Sequence, residues 1–269
     1  MSSGTEAIAR PLAAPSLRVA AVGYLAAAGG AEALFALVGP VAAAAADGAL
    51  LVALAAHAQV LDRRSSDGAP TGAATVGVLM LLPLLRLLSL VMPVRGASEL
   101  GWYALVGAPL LMAIVLAARV LPRASRPQAL SMRPSPVQAA VALTGVPLGL
   151  VAYLAVRPAA LAGTGEPRRM LAGCIVLLVF VGFTEELLFR GLLQHVLQEL
   201  FGRAGILVAT AAYAVSYAGS LSARYVVFAA ASGLFFGWCV SRTRALLGVC
   251  IAHGLLAIGG VLLWPLVFR

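Results

Sequence analysis

Apolar runs separated by short polar breaks follow one another along nearly the whole chain, starting at Leu17. Most of them reach the ~20 residues a helix needs to cross a bilayer's hydrocarbon core. They predict helices over 17–38, 41–61, 73–94, 102–121, 137–156, 170–200, 205–219, 223–241 and 246–267. The expected fold class is therefore all-α, a polytopic transmembrane helix bundle of about eight to nine spans. Gly39-Pro40 breaks the first run from the second, which closes on Asp62-Arg63-Arg64. The 170–200 run is long enough to be one tilted helix or a span followed by an interfacial helix. Residues 1–16 are polar and contain proline, and are expected to form a disordered head. Arg18 at the start of the first run resembles a signal peptide, but that run is too long and further spans follow, so an uncleaved first helix is expected. A stretch rich in Pro, Ser and Arg over 122–136 reads as a basic linker. It separates a four-helix half, 17–121, from a C-terminal domain, 137–269. The inverted repeat typical of transporters is not seen.

Composition narrows the class. The 269 residues are 62% hydrophobic and only 11% charged, with a mean hydropathy of +0.99. An ordinary soluble domain is about a quarter charged, so the chain is expected to be an integral, multi-pass membrane protein; a bacterial plasma membrane is the expected location. The formal charge of +9 comes from arginine alone, as no lysine occurs. With the N-terminus in the cytoplasm, Arg10, Arg18, Arg63, Arg64, Arg119, Arg123, Arg126, Arg133, Arg203, Arg242 and Arg244 fall inside. Arg95, Arg157, Arg168, Arg169, Arg224 and Arg269 fall outside, so the bias favours that orientation. No basic tract alternates with aromatics, and nucleic acid is not expected as a partner. Cys174, Cys239 and Cys250 lie in apolar runs at no metal-binding spacing and read as buried free thiols.

Charges inside the runs carry the chemistry, because ionisable groups at hydrocarbon depth are expensive and mark functional sites. Phe183 to His195 reads FTEELLFRGLLQH, two adjacent carboxylates and an arginine among leucine and phenylalanine. On a helix Glu186 and Arg190 stand at i,i+4, the favourable order for an ion pair. Glu185 points about 100° away and keeps no local counter-charge. Glu32, Asp47 and Arg86 in the first three runs suggest a bracing ion pair more than a substrate contact. His57 reads as interfacial, and Trp102, Tyr103 and Trp264 as belt aromatics. Tyr213 and Tyr217 lie four apart in one apolar run, and His253 stands alone in another. A lone buried histidine is usually a packing residue. Beside a glutamate pair, however, it belongs to the equipment that activates water and stabilises an oxyanion.

These residues resemble the CAAX-protease and bacteriocin-processing (CPBP, or Abi) intramembrane proteases, the type II CAAX prenyl endopeptidase-like group. The pattern Glu-Glu-x-x-x-Arg is matched by Glu185, Glu186 and Arg190, with Gly191 following. Phe-x-x-x-His aligns with Tyr213 to Tyr217, and His-x-x-x-Asn with His253 to Ala257 after a Gly-rich span and Arg-Thr turn. The resemblance covers residues 137–267 and implies an endopeptidase cutting a membrane-embedded or lipidated peptide. It makes Glu185 the general base, His253 an oxyanion donor, and Glu186 and Arg190 supports of the site. Tyr217 stands in place of the first histidine and Ala257 in place of the asparagine.

Tyrosine can orient a water or donate a hydrogen bond, but it is a poor base at neutral pH. Alanine donates nothing. Tight zinc sites take three protein ligands, usually with histidines, so no cofactor is expected and a divalent metal is not favoured. His195, ten residues beyond Glu185 on one helix, is too far to share a water with it. Three functions stay open: an endopeptidase using Glu185, Tyr217 and His253; a protease-fold scaffold, chaperone or immunity factor; and a transporter using Glu185 as its proton site. The endopeptidase is favoured, and the transporter least.

Overall fold

A computed structural model describes residues 14–64, 71–92, 98–120, 131–157, 161 and 166–268. The polar head up to residue 13, residues 121–130 of the expected linker, and the arginines at 10, 95, 123, 126 and 269 lie outside them. The described chain is all helix, with no strand among the described residues. Its helices are α1 (Ala14–Leu37), α2 (Pro40–Arg64), α3 (Gly72–Val91), α4 (Glu99–Val120), α5 (Pro136–Val156), α6 (Pro167–Phe201), α7 (Gly205–Ser216), α8 (Ala223–Thr243) and α9 (Leu247–Val267). Eight helical stretches among the described residues are long and apolar enough to cross a bilayer, α6 and α7 together forming one stretch over Pro167–Ser220. The chain is an integral, multi-pass membrane protein.

The apolar runs fix the helices, and breakers set their ends. Gly39, at φ +122°, turns the chain between α1 and α2, a conformation side chains rarely adopt. Ser135 caps α5 by accepting from the Gln138 amide, with Pro136 in the first turn. α7 departs from the run that predicted it. Its α-helix has 12 residues, about 18 Å of rise, short of the ~30 Å core. It ends at Ser216, and the chain turns through Ala218–Ser220 and Leu221, at φ +54°, into α8. Irregular backbone at membrane depth is tolerated where protein covers it or a cavity lies beside it. Here Arg86 and Glu32 lie against Gly219, whose backbone hydrogen-bonds Glu32.

α6 is the central element. Leu188, Phe189, Leu192, Leu193 and Leu197 are fully buried and share one core with Leu54, Leu79, Leu110 and Ile114 from α2, α3 and α4. The expected two halves of the chain thus meet in a common core. Gln194 ties α6 to α8 through the Gly237 carbonyl and Ser241. Gln138 of α5 accepts from the Gly248 amide in the first turn of α9 at 2.6 Å.

Candidate active site

The central helix is not uniformly α. Leu177–Phe183 and Leu187–Leu193 are π-helical, and the short α-turn between them, Thr184–Glu186, carries both glutamates. Such widened turns are rare and cluster at functional sites, where they re-aim side chains. Thr184 donates its hydroxyl proton five residues back, to the Val179 carbonyl, at 3.0 Å. A glycine contact brings the second chemical element alongside. A methyl group on Gly182 would lie 2.6 Å from the Cys250 carbonyl oxygen and 2.7 Å from the Gly254 nitrogen. α6 and α9 therefore meet at backbone distance, and His253 lands beside the glutamates.

The two carboxylates have different surroundings. Glu186 is fully buried; its Oε1 lies 3.0 Å from Arg190 Nη1 and 2.7 Å from His253 Nδ1. Glu185 is 20% exposed, its Oε2 accepting from the Tyr217 hydroxyl at 2.6 Å and standing 3.8 Å from His253 Nε2. The first gap is a charge-assisted hydrogen bond and the second is too long for one. Glu186 thus holds one nitrogen of His253 and Glu185 faces the other. The Nδ1 proton, assigned from its carboxylate partner, leaves Nε2 for the cavity; it accepts when the ring is neutral and donates when it is protonated.

Arg190 is held by charge and rings. Its terminal nitrogens make no hydrogen bond among the described residues. Its guanidinium lies 4.1 Å from the centre of the Tyr213 ring, with Phe189 and Phe236 farther out. A desolvated cation–π contact is worth about 2 kcal/mol or more, which helps hold a buried cation whose only ion-pair partner among the described residues is Glu186.

All five residues read from the sequence, Glu185, Glu186, Arg190, Tyr217 and His253, meet in one cluster. Tyr213 belongs to it as well, its hydroxyl 3.3 Å from that of Tyr217 and 3.4 Å from His253 Nε2. The sequence signal for it was its helical register, which puts both phenol tips on one face. Tyr225 adds a further ring, 5.0 Å from that of Tyr217. His195 lies away from the cluster, next to Glu199 on α6.

Glu185, Tyr213, Tyr217, His253 and Ala257 line one cavity of about 470 Å³. Its walls are mostly apolar, with Phe180, Leu177, Val106, Leu110 and Phe228. Trp102 and Tyr103, expected in the interfacial belt, line it too. Arg86 reaches it from α3, pairing with Glu32 of α1 and donating to Glu32 Oε2 at 3.0 Å. The expected brace among Glu32, Asp47 and Arg86 is thus a pair that also supports the turn after Tyr217. Asp47 is 2% exposed, has no hydrogen-bond partner among the described residues, and lines a separate 140 Å³ cavity with Glu32 and Arg86. His57 hydrogen-bonds Tyr24 at 2.8 Å, joining α1 and α2. Cys174, Cys239 and Cys250 are free thiols, the last two buried. Among the described residues no three His, Cys, Asp or Glu side chains are grouped so as to hold a metal ion.

Fold and site together define a class: a multi-pass membrane protein with a carboxylate, an imidazole and phenols gathered at an apolar cavity. Residues 167–258 match the family model described as type II CAAX prenyl endopeptidase Rce1-like. The match agrees with the CPBP-type resemblance read from the three motifs, and the matched family is one of proteases. The match takes in Glu185 to Arg190, Tyr213 to Tyr217 and His253 to Ala257, while α1–α5 lie outside it. Neither a curated protein nor a solved structure matches the chain.

Proposed function

We propose that the protein is an intramembrane endopeptidase that hydrolyses a peptide bond of a membrane-embedded or lipidated substrate, with Glu185 as general base. One observation carries this: of two adjacent glutamates, one is closed off by Arg190 and His253, and the other faces a cavity beside a phenol and an imidazole. The 3.8 Å gap between Glu185 Oε2 and His253 Nε2 suits a single water bonded to both. Glu185 takes a proton from that water as its oxygen bonds to the substrate carbonyl carbon, and the carbonyl π pair moves onto oxygen. On collapse the C–N bond breaks, and Glu185 passes the proton to the leaving nitrogen. Tyr217 fixes the carboxylate's orientation. Protonated His253, held by Glu186, donates from Nε2 to the oxyanion, and Arg190 offsets the charge on Glu186.

The test is cleavage of a quenched-fluorescent S-farnesyl peptide by the full chain in liposomes, wild type against Glu185→Gln. Loss of cleavage in the variant supports the base; equal cleavage removes it. Ala257, a cavity-wall residue with no donor, favours a second reading, a non-catalytic binding protein. That reading predicts peptide binding without turnover in both proteins.

The arginine bias supports a cytoplasmic N-terminus. A reporter active only outside the cytoplasm should fail when fused before residue 1; activity there rejects this orientation.

A further inference from the structure

Water activation by Glu185 leaves the hydroxyl of Tyr213 without a task. The Tyr213 ring is 3% exposed, packed edge-on against Phe189 at 4.9 Å and under the Arg190 guanidinium. Phenylalanine would make all of those ring contacts. A buried hydroxyl instead adds a polar group that needs a partner. Its neighbours are distant, 3.3 Å to the Tyr217 oxygen and 3.4 Å to His253 Nε2. The first exceeds the 2.5–3.0 Å usual for O–H···O, and the second is long for a bond to a ring nitrogen as well. Tyr217 gives its own proton to Glu185 at 2.6 Å. The Tyr213 proton is therefore loosely held, between the phenol that orients Glu185 and the imidazole nitrogen beside the attacking water.

Two further observations say what that proton is for. Glu185 Oε2, Tyr217 Oη, Tyr213 Oη and His253 Nε2 form a ring of polar atoms with sides of 2.6, 3.3, 3.4 and 3.8 Å. All four residues line the cavity, and Tyr213 sits across the ring from Glu185. The Arg190 guanidinium, 4.1 Å from the centre of the Tyr213 ring, puts a positive charge on this side of the ring of polar atoms, where it attracts developing negative charge. His253 donates only when protonated, whereas a phenol carries its proton throughout the neutral range.

We infer that Tyr213 is a catalytic residue, the donor whose O–H receives the oxyanion as water adds to the scissile carbonyl. The inference rests on the proposed endopeptidase activity. In the step, the water oxygen bonds to the carbonyl carbon and one water proton goes to Glu185. The carbonyl π pair goes to oxygen, which accepts the Tyr213 hydrogen bond. The phenol keeps its proton and is unchanged when the C–N bond breaks.

The test uses the full chain in liposomes with the S-farnesyl quenched peptide, comparing wild type, Glu185→Gln and Tyr213→Phe. The affinities for the matching peptide aldehyde, whose hydrate mimics the tetrahedral adduct, and for an uncleavable peptide are measured alongside. Tyr213→Phe should lower kcat about 10²–10³-fold, the usual loss for one oxyanion donor. KM and the unfolding midpoint should stay near wild type, and only the aldehyde should bind more weakly. Wild-type kcat in Tyr213→Phe overturns the inference while the Glu185 reading stands. Equal weakening for aldehyde and uncleavable peptide also overturns it, showing a substrate-positioning role. No Glu185-dependent cleavage by the wild type removes both.

Discussion

Two buried clusters in this bundle hold the same charged inventory, two acids and one arginine. In one, Glu32, Asp47 and Arg86 come from α1, α2 and α3; in the other, Glu185, Glu186 and Arg190 all come from α6. Each arginine pairs with one glutamate and leaves an acid over. The difference lies around that spare acid. Asp47 has no hydrogen-bond partner among the described residues and faces a small cavity walled mainly by Leu, Ala and Val. Glu185 faces a phenol at 2.6 Å and an imidazole nitrogen at 3.8 Å, on a cavity more than three times larger (470 against 140 Å³). An intramembrane charge marks a place to look, and its polar neighbours decide whether it can run a reaction.

The largest test of that contrast exchanges the two spare acids in turn. Glu185→Gln should lower kcat on the farnesyl peptide by about 10²–10⁴, the range for a lost general base. Asp47→Asn should leave kcat unchanged; a comparable loss there would erase the distinction. Next come the two arginines. Arg190→Leu leaves the fully buried Glu186 without its cation and should destabilise the protein by about 3–5 kcal/mol, measured by unfolding in detergent. Arg86→Leu should cost less, because Arg86 is 18% exposed.

Smaller effects sharpen the geometry. Tyr217→Phe removes a hydrogen bond to a carboxylate, should cost about 1.5–3 kcal/mol of stability, and should lower kcat roughly 10–100-fold. Gly182→Ala forces α6 and α9 apart and should cost about 1–3 kcal/mol of stability, with kcat falling as His253 leaves Glu186. The smallest expected change is a recovery. Ala257→Asn, one turn beyond His253 on the same cavity wall, should restore part of the activity lost in Tyr213→Phe.

Much of this was legible in the sequence because single-helix properties write it there. Runs of Leu, Ala and Val set the span lengths, and the helical period separated Glu185 from the Glu186–Arg190 pair. What was not legible depends on partners far along the chain. The end of α7 at Ser216, inside a run read to 219, is tied to a turn resting on Glu32 and Arg86. The hydrogen bond of His253 to Glu186 joins residues 67 apart in sequence. Trp102 and Tyr103 carry the amphipathic rings of a membrane belt yet line the cavity, and residue type alone does not separate those two places. Tyr213 was visible only as a position in a pattern. Its hydroxyl gained meaning once Nε2 of His253 was found beside it.

The most direct measurement of the central claim is an experimental structure of the full chain bound to an S-farnesyl peptide made hydrolysis-resistant at the scissile bond. A water should sit on the Glu185 carboxylate with the scissile carbon about 3–3.5 Å from it, the distance of a productive attack. A peptide seated beside Asp47, or one whose scissile carbon lies away from Glu185, would contradict the account.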